Sequence, residues 1–112
     1  MNFTDAVKTC FSNYANFSGR AKRPEFWWFF LFLVVLNVIT SMLGSFISIL
    51  ASLATLVPSL AVGARRLHDT GRTGWWQLIV LIPLIGFIVL VIFCAQEGQP
   101  ADNEYGSAPA DV

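Results

Sequence analysis

Between Phe26 and Ala64 the chain carries no charged residue, and a second charge-free run extends from Thr73 to Gln96. A helix needs roughly 20 mainly apolar residues to cross the ~30 Å hydrocarbon core of a bilayer. The first run is too long for one span and right for two, and the second run supplies a third. The first run has its best turn at Gly44-Ser45, which predicts spans over 26–43 and 46–64 and a third over 75–94. Each of the first two is roughly 27–28 Å long at 1.5 Å rise per residue. A rival placement uses Ser41, Gly44, Ser45, Ser48, Ser52 and Thr55 as a packing stripe of small residues on a longer, tilted first helix. The hairpin at Gly44 is preferred.

Before the spans, Phe3, Ala6, Val7, Cys10, Phe11 and Tyr14 recur at helical spacing and lie on one face. Asp5, Lys8, Thr9, Ser12 and Asn13 take the other, and Thr4 is the expected N-cap. Residues 3–14 therefore predict a short amphipathic helix, either lying in the membrane interface or folded onto the protein's own spans. The expected fold class is an all-α integral membrane protein of one domain, three transmembrane helices preceded by an amphipathic interfacial helix. Residues 97–112 follow as a polar acidic tail, with Glu97, Asp102, Glu104 and Asp111 and no Lys or Arg. It reads as a solvated segment.

Composition agrees. The chain is 55% hydrophobic, 14% aromatic and 12% charged, against about 25% charged in soluble domains. Formal net charge is zero, which gives no electrostatic basis for a nucleic-acid partner. The apolar pattern starts too late and runs too far for a cleaved leader. Cys10 and Cys94 read as an isolated thiol and an apolar filler rather than a disulfide.

Charge placement carries the topology. Lys8, Arg20, Lys22 and Arg23 precede the first span, and Arg65, Arg66 and Arg72 lie between the second and third. Lys and Arg near span ends mark the cytoplasmic side. Three spans put all seven there, with the N-terminus and the 65–74 loop inside and the C-terminus in the periplasm. Trp27 and Trp28 at the first span, and Trp75 and Trp76 at the third, are the expected interface anchors. In both places a Gly-Arg basic loop leads into a Trp-Trp pair. Pro58 falls inside the second span, where lipid tolerates it if a neighbour satisfies the freed carbonyl. Asn37 is expected to bond another helix.

The stretch RRLHDTGRTGWW, residues 65–76, is the densest in chemistry. His68-Asp69 does not make an acid–base pair, because adjacent helical residues do not face each other and no nucleophile motif accompanies them. One histidine with scattered acids is no metal site. No catalytic residue, metal or cofactor is therefore assigned, and an enzyme is the least expected class. Two readings remain. In the packing reading Asp69 pairs with an arginine, His68 caps backbone carbonyls, and Gly71 and Gly74 supply turns. In the binding reading Arg20, Arg23, Arg65, Arg66, His68, Asp69 and Arg72 form an anion or anionic-lipid site at headgroup depth. The packing reading is preferred.

FSGRAKRPEFWWF near the start, PSLAVGARRLHDTGRTGWW in the middle and GQPADNEYG near the end resemble, in that order, a family of small bacterial inner-membrane proteins known as domain of unknown function 805. The resemblance covers nearly the whole chain. Its motif positions fall on Gly19, Arg20, Arg23, Glu25, Trp27, Pro58, Arg65, Arg66, Leu67, His68, Asp69, Gly74, Trp75, Asn103, Tyr105 and Gly106. The connection between the first two spans is shorter than usual, and the tail lacks the second glycine that often precedes the asparagine. The resemblance implies a bacterial membrane location and transfers no activity. It draws attention to Glu25, which heads the first span on the side of Arg65 and Arg66, so a salt bridge from Glu25 to one of them is expected. The functional expectation is an accessory protein of the bilayer that binds itself or another membrane protein. The alternatives are an anionic-lipid or small-anion site on the basic loop, and an oligomeric transporter or channel. Ionisable groups expected of the last do not occur within the spans.

Overall fold

The computed structural model describes residues 1–107 and is all-helical, with no strand among them. Asp111 and the end of the expected tail lie outside the described residues. Helix α1, Phe3–Ser12, is capped by Asn2, whose Oδ1 accepts from the Asp5 N–H at 2.8 Å. The cap is thus Asn2 and not Thr4; an amide one turn ahead of a free N–H does this work well. Helix α2 spans Arg23–Leu43 with Pro24 in its first turn, and α3 spans Ser45–Asp69. Between them stands Gly44 alone, at φ 119° and ψ 163°, a region of backbone space essentially reserved for glycine. That single residue reverses the chain. Both helices are long and apolar enough to cross a membrane.

Burial is inverted relative to a soluble fold. Met42 is 81% exposed and Phe46 72%, with Val38, Leu53 and Ile49 also turned outward, whereas Arg66 is fully buried. Apolar side chains that face out and charges that face in are what a lipid solvent selects. The longest dimension, 45 Å, matches the thickness of a bilayer with its headgroups, about 40–45 Å.

Helix α1 packs on the spans. Ala6 and Cys10 are buried, Phe3 meets Trp28 edge-on at 6.0 Å, and Phe11 meets Phe29 at 5.6 Å. Just beyond its end, the Tyr14 hydroxyl donates to the Ala54 carbonyl at 2.6 Å. Ala54 stands four residues before Pro58, so its carbonyl is the one that the proline leaves without an N–H. Tyr14 closes that gap in the ladder. Asn37, by contrast, donates to Leu33 of its own helix at 2.7 Å and reaches no neighbour.

The third apolar run is not one span. It forms a 3-10 helix, Gly74–Leu81, and a short helix α4, Ile85–Ala95, which lie side by side. Trp76 and Phe93 stack edge-on at 5.4 Å, although a continuous helix would hold them about 25 Å apart. At the tip, Leu84 adopts φ 63°, ψ −61° and the Ile85 N–H donates to the Pro83 carbonyl at 2.7 Å, a tight and strained γ-turn. A Cβ on Gly86 would fall 1.6 Å from the Ile79 carbonyl oxygen, so only glycine lets the two arms close. Each arm is roughly 16 Å long, about half the hydrocarbon core. The run enters and returns at the same end of the molecule.

Candidate functional site

That end is where the polar residues meet. The last turn of α3 carries Arg65, Arg66, His68 and Asp69, and at about 100° per residue they leave the helix in different directions. Arg65 turns toward α2 and forms an ion pair with Glu25 in its first turn. Its Nε and Nη2 have no hydrogen-bond partner. Arg66 and Asp69, three apart and so on one face, pair at 2.8 Å. Asp69 also takes Arg20 Nε at 2.9 Å, so one carboxylate binds two guanidinium groups. The expected Glu25 bridge is therefore made to Arg65, and Arg66 takes Asp69 instead.

The remaining donors of Arg20 and Arg66 go to main-chain carbonyls. Arg66 donates from Nε to Cys94 at 2.8 Å, from Nη1 to Ala21 at 3.1 Å and from Nη2 to Gln96. Arg20 donates from Nη1 to Ala101 at 2.8 Å and to Gly106 at 3.3 Å, and from Nη2 to Gln99. The Gln99 N–H donates in turn to the Asp69 carbonyl at 2.8 Å, and Ala21 N–H to that of Arg65 at 2.9 Å. A Cβ on Gly98 would sit 1.8 Å from Asp69 Oδ2, so the tail crosses this carboxylate at a glycine. His68 Nδ1 lies 2.9 Å from the Gly19 carbonyl, its ring stacks on Tyr105 at 4.1 Å, and its own carbonyl accepts from Asn103 at 2.9 Å.

Three segments distant in sequence are thereby joined into a cap: the loop after α1, the end of α3, and residues 96–107. The tail was expected on the opposite face from the 65–74 loop; it lies against that loop instead, because the third run turns back. Its side chains are largely solvated, and its backbone is what the arginines hold.

The other residues singled out in the sequence fall around this cap. Arg23 is exposed. Arg72 lies 4.0 Å over the Phe93 ring, a cation–π contact. Trp27 Nε1 donates to the Cys94 carbonyl at 3.3 Å, Trp28 packs on Phe3, Trp76 packs on Phe93, and Trp75 is 76% exposed. Gly71, at φ 80°, ends α3 and Gly74 sits against Ala64. Cys10 and Cys94 are free, buried thiols. Cys10 Sγ lies 3.7 Å from Glu25 Oε2, and burial, with the nearby Glu25 charge, pushes its thiol up to about 12, so it stays protonated at neutral pH.

Chemically the cap is a network closed around Arg20 and Arg66, with Arg65 Nε and Nη2 left unpartnered. Charge-assisted bonds engage both carboxylates, and Arg20 and Arg66 are turned inward, away from any headgroup. Among the described residues no three of His, Cys, Asp and Glu come together as a metal site. Residues that sequence reasoning missed are Tyr14, Gln77, Gly98 and Gln99. Only Gln77 carried a signal, as the lone amide within an apolar run.

The family described as "Protein of unknown function (DUF805)" matches residues 14–107. Among curated proteins the chain is similar to the Escherichia coli K12 inner membrane protein YhaI, 45% identical over 104 residues, covering 87% of this chain and 88% of that one. It is also similar to inner membrane protein YhaH of the same strain, 39% identical over 108 residues, covering 87% and 89%. No solved structure matches.

Proposed function

The chain belongs to the DUF805 family, and from that premise we propose that it is a non-enzymatic accessory protein of the bacterial inner membrane. It crosses the bilayer twice, α2 out and α3 back, and dips the 3-10 helix and α4 into the cytoplasmic half as a re-entrant hairpin. The N-terminal segment, the 65–74 loop and the tail through Ser107 then share the cytoplasmic face, with the seven basic residues. This replaces the three-span arrangement.

The observation that carries the reading is the capture of tail carbonyls by Arg20 and Arg66. Those bonds turn the polar residues into a rigid cap on an apolar hairpin, a platform whose lipid-facing helices and capped end are free for another membrane protein or a second copy. The inward direction of the arginines also weighs against an anionic-lipid site on Arg65 and Arg66. Single cysteines at Ser45 and Ser107, probed from either side of the membrane with an impermeant maleimide, test the arrangement. Ser45→Cys reacts from the periplasm and Ser107→Cys only after the cytoplasmic side is opened. Periplasmic labelling of Ser107→Cys would overturn the proposal.

A further inference from the structure

Beside the cap, and separate from its ion pairs, a cavity of about 430 Å³ opens between the end of α3 and the start of the 3-10 helix. Small-molecule sites begin at about 300 Å³. Its walls include Phe17, Leu60, His68, Thr73, Trp75 and Leu78. Trp75 and Leu78 are among the most exposed apolar residues at this level, so the mouth opens toward lipid rather than water.

Its polar equipment is narrow. Among the described residues no charged side chain lines it. The Gln77 amide already donates to the Leu60 carbonyl at 3.0 Å. That leaves the Gln77 Oε1, the Thr73 hydroxyl and His68. The Gly19 carbonyl at His68 Nδ1 can only accept, so Nδ1 carries the hydrogen and, in the neutral ring, Nε2 presents a lone pair. Nε2 faces the Gly74 side of the cavity, 3.8 Å from where a Cβ there would stand. A cavity with an acceptor and no cation does not select an anionic headgroup. It selects an uncharged head with an O–H to donate, and the three planar rings of Phe17, His68 and Trp75 favour a flat one.

We propose that this cavity binds the ring of a membrane quinol, a lipid-soluble hydroquinone whose hydroxyl donates to His68 Nε2 while its tail remains in the bilayer. Binding alone is proposed; no electron leaves the ring. At Nε2 only the reduced form can bond, since a quinone carbonyl has no hydrogen to donate, while the Thr73 hydroxyl serves either form. One neutral hydrogen bond corresponds to about a five- to tenfold difference in affinity.

The test uses the full chain in phosphatidylcholine nanodiscs under anaerobic conditions, with decylubiquinol as probe. Retained probe is extracted and quantified against empty nanodiscs. Saturable retention near one equivalent per chain is expected, five- to tenfold weaker for decylubiquinone and similarly weakened in His68→Asn. Asparagine keeps a donor at the Nδ1 position for Gly19 and removes Nε2 together with the ring that stacks on Tyr105. Retention no greater than in empty nanodiscs, retention unchanged in His68→Asn, or full displacement by equimolar dioleoylglycerol overturns the proposal. Should His68→Asn lose its monodisperse fold, Leu60→Trp in the cavity wall decides: blocked retention supports the site and unchanged retention overturns it.

Discussion

The two ends of the α2–α3 hairpin are built on opposite principles. At the far end one residue, Gly44, reverses the chain with exposed Leu43 and Phe46 on either side; no polar side chain ties the turn down. At the capped end the ion-paired Glu25 and Asp69, three buried arginines and a row of backbone carbonyls join the loop after α1, the start of α2, the end of α3 and the tail. In the proposed arrangement the apolar turn sits at the membrane surface and needs only a permitted backbone path, because water there meets the free N–H and C=O groups of the helix ends. A charged end needs partners for its buried charges, because burial takes them out of water. Shape at one end is set by φ and ψ, and at the other by pairing.

The largest effect therefore belongs to Asp69. Asp69→Asn keeps the volume but leaves Arg20 and Arg66 without their shared counter-charge. Removing one partner of a buried pair costs about 3–5 kcal/mol, a large share of the stability of a small membrane protein. Denaturant unfolding in micelles should show that loss, and the tail should become open to protease in the folded fraction. A loss below about 1 kcal/mol would mean that the cap is held by its main-chain bonds alone.

Gly44→Ala probes the other end. A side chain at φ 119° and ψ 163° is strained, although nothing lies within 4 Å of the added Cβ. The cost is about 1–3 kcal/mol, and the tail should keep its protease resistance, since nothing in the cap touches residue 44. Loss of tail protection in Gly44→Ala would show that the two ends are coupled and that their contrast is one of geometry only.

The contrast also separates what the sequence discloses from what it hides. Charge-free runs and Gly44 are visible because they are properties of side chains and of one permissive residue. The basic clusters at one end are equally visible, and so is a bridge from Glu25 to Arg65 or Arg66, to which the family resemblance draws attention; that Arg65 takes it is not. The folding back of the third run is not visible, because a run from Thr73 to Gln96 has the length and apolarity of a span. Its marks are the strained turn at Leu84 and the close approach at Gly86, and Pro-Leu-Ile-Gly looks the same in a kinked span. The docked tail is hidden for a different reason. Its partners are Arg20 and Arg66, but what they hold is main-chain oxygen at Gln96, Gln99 and Ala101, and every residue has that oxygen.

The smallest expected effect lies between the two ends, at Tyr14. Its hydroxyl is the donor for the Ala54 carbonyl that Pro58 leaves open, one hydrogen bond that belongs to neither principle. Tyr14→Phe removes the donor and keeps the ring, which stays beside Phe11. A net hydrogen bond is worth about 0.5–1.5 kcal/mol, so the loss should fall in that range, below the Gly44 and Asp69 effects. The double variant Tyr14→Phe/Pro58→Ala sharpens the point. With alanine at 58 the helix supplies its own N–H to Ala54, so the hydroxyl becomes redundant and the cost of Tyr14→Phe should shrink toward zero in that background. If the cost stays the same, Tyr14 serves α1 docking, and the gap in the α3 ladder is tolerated without it.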